Sequence, residues 1–137
     1  MLMSNRKKAG VVPYIIENNI IKMMFMKSAK NPELGWQLAK GNQKKDESKK
    51  KAAFREASEE LGLFKPNCDN IKGVGNFGGI SLYIAEVLSM SQFGDPDESE
   101  VSDVAWLTLE EFSEEGRMSQ RHIVKEIHSI INKTLET

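Results

Sequence analysis

The run from Ser48 to Leu61 contains no glycine or proline and is rich in strong helix formers, and Gly62 follows where a helix C-cap belongs. Within it stands Arg55-Glu56-Ala57-Ser58-Glu59-Glu60-Leu61. A helix turns about 100° per residue, so with Glu56 at zero Glu59 falls near -60° and Glu60 near +40°. The three carboxylates therefore share one face. Ala53, Phe54, Ala57 and Leu61 fall between roughly +60° and +160° and form the face that docks on a core. Ala52 lies inside the carboxylate face, where its small side chain leaves room for something to approach.

Such a helix is charged against its own interest. Like charges four residues apart cost a few tenths of a kcal/mol when exposed. Glu59 and Glu60 also sit in the last turn, where the helix dipole disfavours anions. A bound divalent cation reverses both penalties. Arg55, four residues before Glu59, is placed to orient one carboxylate, and its rigid fork suits that role better than a lysine. Taken alone, E-x-x-E-E is usually a solvated acidic face. The rest of the chain has to decide.

The 137 residues suit one domain, spanning 1–137, and charged residues at 28% with hydrophobic ones at 39% describe a globular chain. A net charge of -1 argues against a broad footprint for nucleic acid, and no stable nucleic-acid partner is expected. Cys68 is the only cysteine, which excludes an internal disulfide and a thiolate zinc cluster. With His122 and His128 as the only imidazoles, a metal site must be built from oxygen ligands. Oxygen suits hard cations, magnesium or manganese. The basic start, Met1 to Lys8, leads into an apolar run that Pro13 interrupts, so neither a signal-peptide core nor a membrane span is expected. A reducing, cytoplasmic setting is the default expectation, and a homodimer is compatible with it.

Along the chain, the pattern predicts a strand from Lys8 to Ile16, a turn at Glu17-Asn18-Asn19 and a partner strand from Ile20 to Met26. Met23, Met24 and Met26 alternate within it, two on one side. Asn31 to Gly35 reads as a loop and Trp36-Gln37-Leu38 as a short extended piece ending at Lys40-Gly41. Beyond the helix, strands are expected over 71–77 and 80–88, joined by Gly78-Gly79. A polar loop over 93–99 leads to a strand over 101–107, and Thr108 caps a short helix. A last helix over 119–135 carries Ile123, Ile127, Ile130 and Ile131 on one face. Strands interleaved with three helices describe a layered sheet-and-helix domain.

Reading outward from the carboxylates gives Gly41, five residues, Glu47, seven residues, then Arg55-Glu56-Ala57-Ser58-Glu59-Glu60-Leu61-Gly62-Leu63. This resembles the Nudix box, G-x5-E-x7-R-E-U-x-E-E-x-G-U, where U is usually a bulky aliphatic residue. Every fixed position is met, and Ala57 is the one departure, small but apolar. Trp36-Gln37-Leu38-Ala39-Lys40 resembles the usual lead-in, in which a proline often stands at the place of Ala39. The match covers residues 41–63. The resemblance implies an α/β/α sandwich with a mixed sheet and a loop–helix–loop that binds divalent metal, Mg2+ or Mn2+. It implies Glu56, Glu59 and Glu60 as metal ligands, with Glu59 also in the catalytic set beside Arg55 as the orienting partner. Glu47 would support the loop or an outer-shell water, and Gly41 and Gly62 would allow tight turns. Water would attack one phosphorus in line. Substrates of the family share a nucleoside diphosphate joined to a variable group.

Many members carry a further acid ahead of a strand entering the sheet, as metal ligand or general base. Glu100, six residues before Trp106, is chosen here over Glu98 and Asp103, with Glu86 as a second candidate. For substrate binding, Lys40 is placed by the loop beside Gly41, and Tyr83 is the aromatic residue in the window beyond the box. Lys44, Lys45, Lys49, Lys50 and Lys51 read chiefly as a solvated face. Trp36, Tyr14, Phe25 and Phe77 read mostly as core, His122 and His128 as surface residues, and Cys68 has no base beside it. The window beyond the box holds no proline, so the ADP-ribose signature is not met, and Tyr83 falls late for the diadenosine-type tyrosine. The expected activity is cleavage of the pyrophosphate linkage in ADP-ribose, dinucleoside polyphosphates or NADH- and FAD-type dinucleotides. The alternatives are a nucleoside triphosphate or RNA 5′-end pyrophosphohydrolase, and a nucleotide-binding sensor without turnover.

Overall fold

A computed structural model describes residues 7–135. The basic stretch from Met1 to Arg6, read above for a targeting segment, lies outside the described residues. The chain runs β1 (Lys8–Glu17), β2 (Ile20–Ser28), β3 (Ala39–Asn42), α1 (Lys49–Leu61), β4 (Cys68–Phe77), β5 (Ile80–Val87), β6 (Val101–Leu107), α2 (Leu109–Glu115) and α3 (Arg121–Leu135). The strands form one sheet in the order β4-β5-β1-β2-β6, with β3 also paired to β1. β1 and β5 run parallel and the other pairs antiparallel, so the sheet is mixed.

Alternation along the strands divides the apolar residues between two layers. Ala9, Val11, Met24 and Met26 pack with Ala53, Phe54, Ala57 and Leu61 of α1. Val12, Tyr14, Met23 and Phe25 pack on the opposite side with Phe112 of α2 and with Ile123, Val124, Ile127 and Ile131 of α3. The result is an α/β/α sandwich. The two hairpin turns follow their residue types. Asn18 and Asn19 take φ of 52° and 65°, Gly78 and Gly79 take 60° and 90°, the left-handed pairs that match the twist of flanking strands.

β1 changes partner along one edge, and this change opens the molecule. Its first half, Lys8 to Val11, pairs with β3, and its last residues, from Tyr14, pair with β2. Pro13, which has no N–H to give, stands between the two registers. β2 thus peels away from β1 and continues along β6, touching the β3 lead-in through the Met26–Gln37 bridge. Gly10 permits the close approach of β3, because a side chain there would strike the Ala39 carbonyl and Lys40.

Several boundaries differ from the sequence reading by a residue or more. β4 begins at Cys68 rather than 71, since Cys68 and Asp69 pair with Val87 and Glu86 before a bulge shifts the register. The extended piece at Trp36–Leu38 is held by isolated bridges, and the strand proper starts at Ala39. α3 is preceded by a 3-10 turn at Met118–Gln120. Among the described residues no helix is long and apolar enough to cross a membrane.

Candidate active site

α1 is fixed at both ends. The Ser48 side chain accepts from the Lys51 N–H at 3.1 Å. Gly62, at φ 72°, donates its N–H to the carbonyls of Ala57 and Ser58, and Leu63 returns to Ala57. The Gly62 carbonyl accepts from Gly94, and the Glu59 carbonyl from Asp97, so the loop before β6 is tied to the end of the carboxylate helix.

The carboxylate face lies against β3. A side chain at Gly41 would occupy the space of the Glu56 carboxyl group, so the glycine is required by the approach of that acid. Ala52 does not open the face. It is fully buried beneath the sheet, and the room that its position suggested is supplied by Gly41 instead. Glu60 accepts from the Lys40 main-chain N–H at 3.2 Å. Burial, and then the neighbouring Glu56, push its carboxyl group up to about 8, against the pull of that hydrogen bond.

Arg55 organises the other side. Its Nε and Nη2 reach the two oxygens of Glu47 at 2.8 and 3.0 Å, and Nη2 also donates to the Asn42 carbonyl. Its Nη1 lies 3.1 Å from Glu56 and 3.6 Å from Glu59. One guanidinium therefore holds the loop acid and two of the helix acids. The Arg55 fork and the Lys44 N–H bring the Glu47 carboxyl down to about 2. A depressed acid contributes stability above its unfolded value, near 4.3, and loses it as pH falls toward 2. Arg55→Gln is therefore expected to flatten the fall in melting temperature between about pH 4.5 and 2. Parallel melting curves for the two proteins would contradict the pairing.

The opening between β2 and β3 is a cleft of about 310 Å³ whose walls include Lys40, Glu60 and Glu100. Glu100 is set there by its main chain, which accepts from the Ala29 N–H and donates to Asp97. The structure thus brings Glu47, Arg55, Glu56, Glu59, Glu60, Gly41 and Lys40 into one neighbourhood, with Glu100 across the cleft from Glu60. Tyr83 is elsewhere. It is half-buried on β5, on the α1 side of the sheet against Gly73, and does not line this cleft. Glu86 hydrogen-bonds Asn70 at the far sheet edge.

Of the other candidates, Tyr14 and Phe25 are core, while Trp36 carries the Lys27 ammonium over its ring at 4.6 Å. Lys44 and Lys45 face a cavity with Arg55 and Glu56, and Lys49, Lys50 and Lys51 are exposed. Burial raises the Cys68 thiol to about 11, which suits no nucleophile. Three residues were not singled out by their sequence context. Arg117 donates to the Gln37 side chain at 2.9 Å, and the buried Gln120 accepts from the Leu38 N–H at 2.8 Å. Together Arg117, Gln37 and Gln120 fix the strand lead-in to α3, and no local motif announces them.

Among the described residues no three acid or imidazole side chains are already gathered around one point as ligands. The donor set nonetheless fits a hard cation. Burial first, and then the facing Glu56, make Glu60 resist ionisation, and all available donors are oxygens. A cation at that point would replace the retained proton.

A sandwich of this topology with a carboxylate loop–helix–loop at its sheet opening defines a class of hydrolase fold. Residues 6–127 match the NUDIX domain, and the chain belongs to that family, the Nudix hydrolases, enzymes acting on phosphoanhydride bonds. Among solved structures it resembles a C. elegans Ap4A hydrolase in a binary complex, at 18% identity and TM-score 0.74, covering 93% of this chain and 98% of that one. It also resembles the M. smegmatis Nudix hydrolase RenU, at 15% identity and TM-score 0.64, covering 95% and 90%. The NUDIX domain of Shewanella oneidensis NrtR, crystallised with ADP ribose, aligns at 19% identity and TM-score 0.62, covering 91% and 89%. At these identities the likeness is one of fold. No match was found among curated proteins.

Proposed function

We propose that the protein cleaves the pyrophosphate linkage of nucleoside diphosphate derivatives, such as dinucleoside polyphosphates, ADP-ribose or NADH- and FAD-type dinucleotides, with Mg2+ or Mn2+. The observation that supports this most is the pairing of Glu56 and Glu60 under β3, with Glu59 on the same guanidinium as Glu56 and Glu100 across the cleft. Glu56, Glu59, Glu60 and Glu100 would hold the cation. When bound, it would neutralise phosphate oxygens and make a phosphorus open to attack by water. Glu59 and Glu100 are the residues assigned to that water's proton. Arg55 is a positioning residue that acts through Glu47, Glu56 and Glu59. The Lys40 main chain holds Glu60 while its side chain offers a positive charge to the phosphates. Gly41 leaves the space for the acids. Tyr83 is kept as a substrate contact only for a ligand extending over the β4–β5 edge.

The reading places one domain in a reducing, cytoplasmic setting, with a small nucleotide as its ligand and no stable nucleic-acid partner. A homodimer is compatible with it. The test is a panel of dinucleotides, nucleoside triphosphates and 5′-triphosphorylated RNA, incubated with magnesium in water enriched in heavy oxygen. Mass spectrometry is expected to find the label in one phosphate-bearing product of a nucleoside diphosphate derivative. Cleavage confined to triphosphates or RNA ends would move the protein to those classes. Nucleotide binding without any cleavage would make it a sensor.

A further inference from the structure

On the opposite face of β3 from α1 lies a second cavity, of about 410 Å³, walled by Lys8, Lys40, Arg117 and the N-terminal end of α3. Lys40 lines both this cavity and the acidic cleft. Its location follows from the register. Lys40 pairs with Gly10, and Lys8 pairs with Asn42, so both lysines stand on the side of the sheet that Val12 and α3 share.

Among the described residues no aspartate or glutamate lines this cavity, although acidic residues outnumber basic ones in the whole chain. Among the described residues none of the three cations makes an ion pair with a carboxylate. Arg117 is held rigidly, its guanidinium on Gln37 and its main chain bonded to Trp36 and Gln120. Three positive charges kept together at this density repel one another. The positive end of α3 faces the same space. Three cations together match more negative charge than one phosphate carries, and Lys40 borders both this space and the cleft where the scissile bond is assigned.

We propose that this basic cavity receives the phosphates beyond the cleaved pyrophosphate, so that the preferred substrates carry three or more phosphates in a row. This rests on the reading above, in which the linkage is cut beside Glu56 and Glu60. Compounds with only two phosphates reach the acids and leave Lys8 and Arg117 without an anionic partner. Longer chains engage all three cations.

The experiment compares dinucleoside di-, tri- and tetraphosphates as substrates for the full chain. The parent is expected to favour the tetraphosphate over the diphosphate by at least roughly 10-fold in kcat/KM, and Arg117→Glu and Ser119→Glu each to bring that ratio toward one. Ser119 is exposed at the rim of the same cavity, so its variant keeps the test open if Arg117→Glu fails to fold. A ratio near one in the parent, or an unchanged ratio in both variants, would overturn the proposal. A second arm needs no turnover. Inorganic tripolyphosphate with EDTA is expected to raise the melting temperature of the parent and not that of Ser119→Glu. If nothing in the panel is cleaved, the hydrolase assignment of the cleft fails, while this arm still decides the cavity. No rise in the parent would overturn the assignment of the cavity.

Discussion

Glu60→Gln is expected to lower magnesium-dependent turnover by more than about 100-fold, beyond the loss usual for outer-shell residues of a metal site. Glu59→Gln is expected to do the same. The two effects have different origins. Glu60 is held by the Lys40 N–H in a half-buried position facing Glu56, so an amide there keeps the hydrogen bond to the main chain and removes the negative charge. The fold is expected to tolerate the change or to gain from it, because the acid is destabilised by its own burial. Its ionised form is disfavoured in the folded state, so stability falls as pH rises from near 4.3 toward 8. The Glu59 side chain is exposed and, among the described residues, pairs with the Arg55 guanidinium, so its loss removes a proposed ligand without disturbing packing. Turnover and melting temperature should therefore separate. Variants that cleave like the parent would contradict the ligand assignment.

Gly62→Ala is expected to be the most damaging single methyl group. Placing a side chain in the left-handed region costs about 1–2 kcal/mol. The added carbon would also collide with the Gly94 carbonyl, in the turn that donates Gly94 N–H to Gly62. Overpacking of this kind costs typically about 1–3 kcal/mol more. The sum of roughly 2–5 kcal/mol corresponds to a melting temperature lower by on the order of 10 °C in a chain of this size. Gly78→Asn provides the comparison. Gly78 also has a positive φ, but among the described residues nothing lies near its missing side chain, and Asn18 already adopts such a φ in the other hairpin. That variant is expected to melt with the parent. Equal losses in both would show that backbone conformation, and not the contact with Gly94, decides.

What the sequence could and could not say follows from the range of the interactions involved. α1 was legible because its signals are local: Ser48, the run without helix breakers, and Gly62 lie within one element. The Thr108 cap with Glu111 and the isoleucine face of α3 are legible for the same reason. The grouping of Glu47, Arg55, Glu56 and Glu59 follows from spacing on one loop and one helix. The start of β4 escaped because Cys68-Asp69-Asn70 has no alternation and is held only by its pairing to β5. The burial of Ala52 escaped because a helical wheel does not show which strand will lie across it. The basic cavity was illegible for a stronger reason. Lys8, Lys40 and Arg117 come from three distant stretches, and only the partner change of β1 and the Gln37–Arg117 contact bring them together.

A cation held between α1 and β3 is the centre of the proposed chemistry. The most direct measurement is anomalous scattering from a crystal equilibrated with manganese. One peak about 2 Å from carboxylate oxygens of Glu56 and Glu60, with Glu59 turned toward it, is the result the account requires. Ordered carboxylates in an open lattice channel with no peak beside them would contradict it.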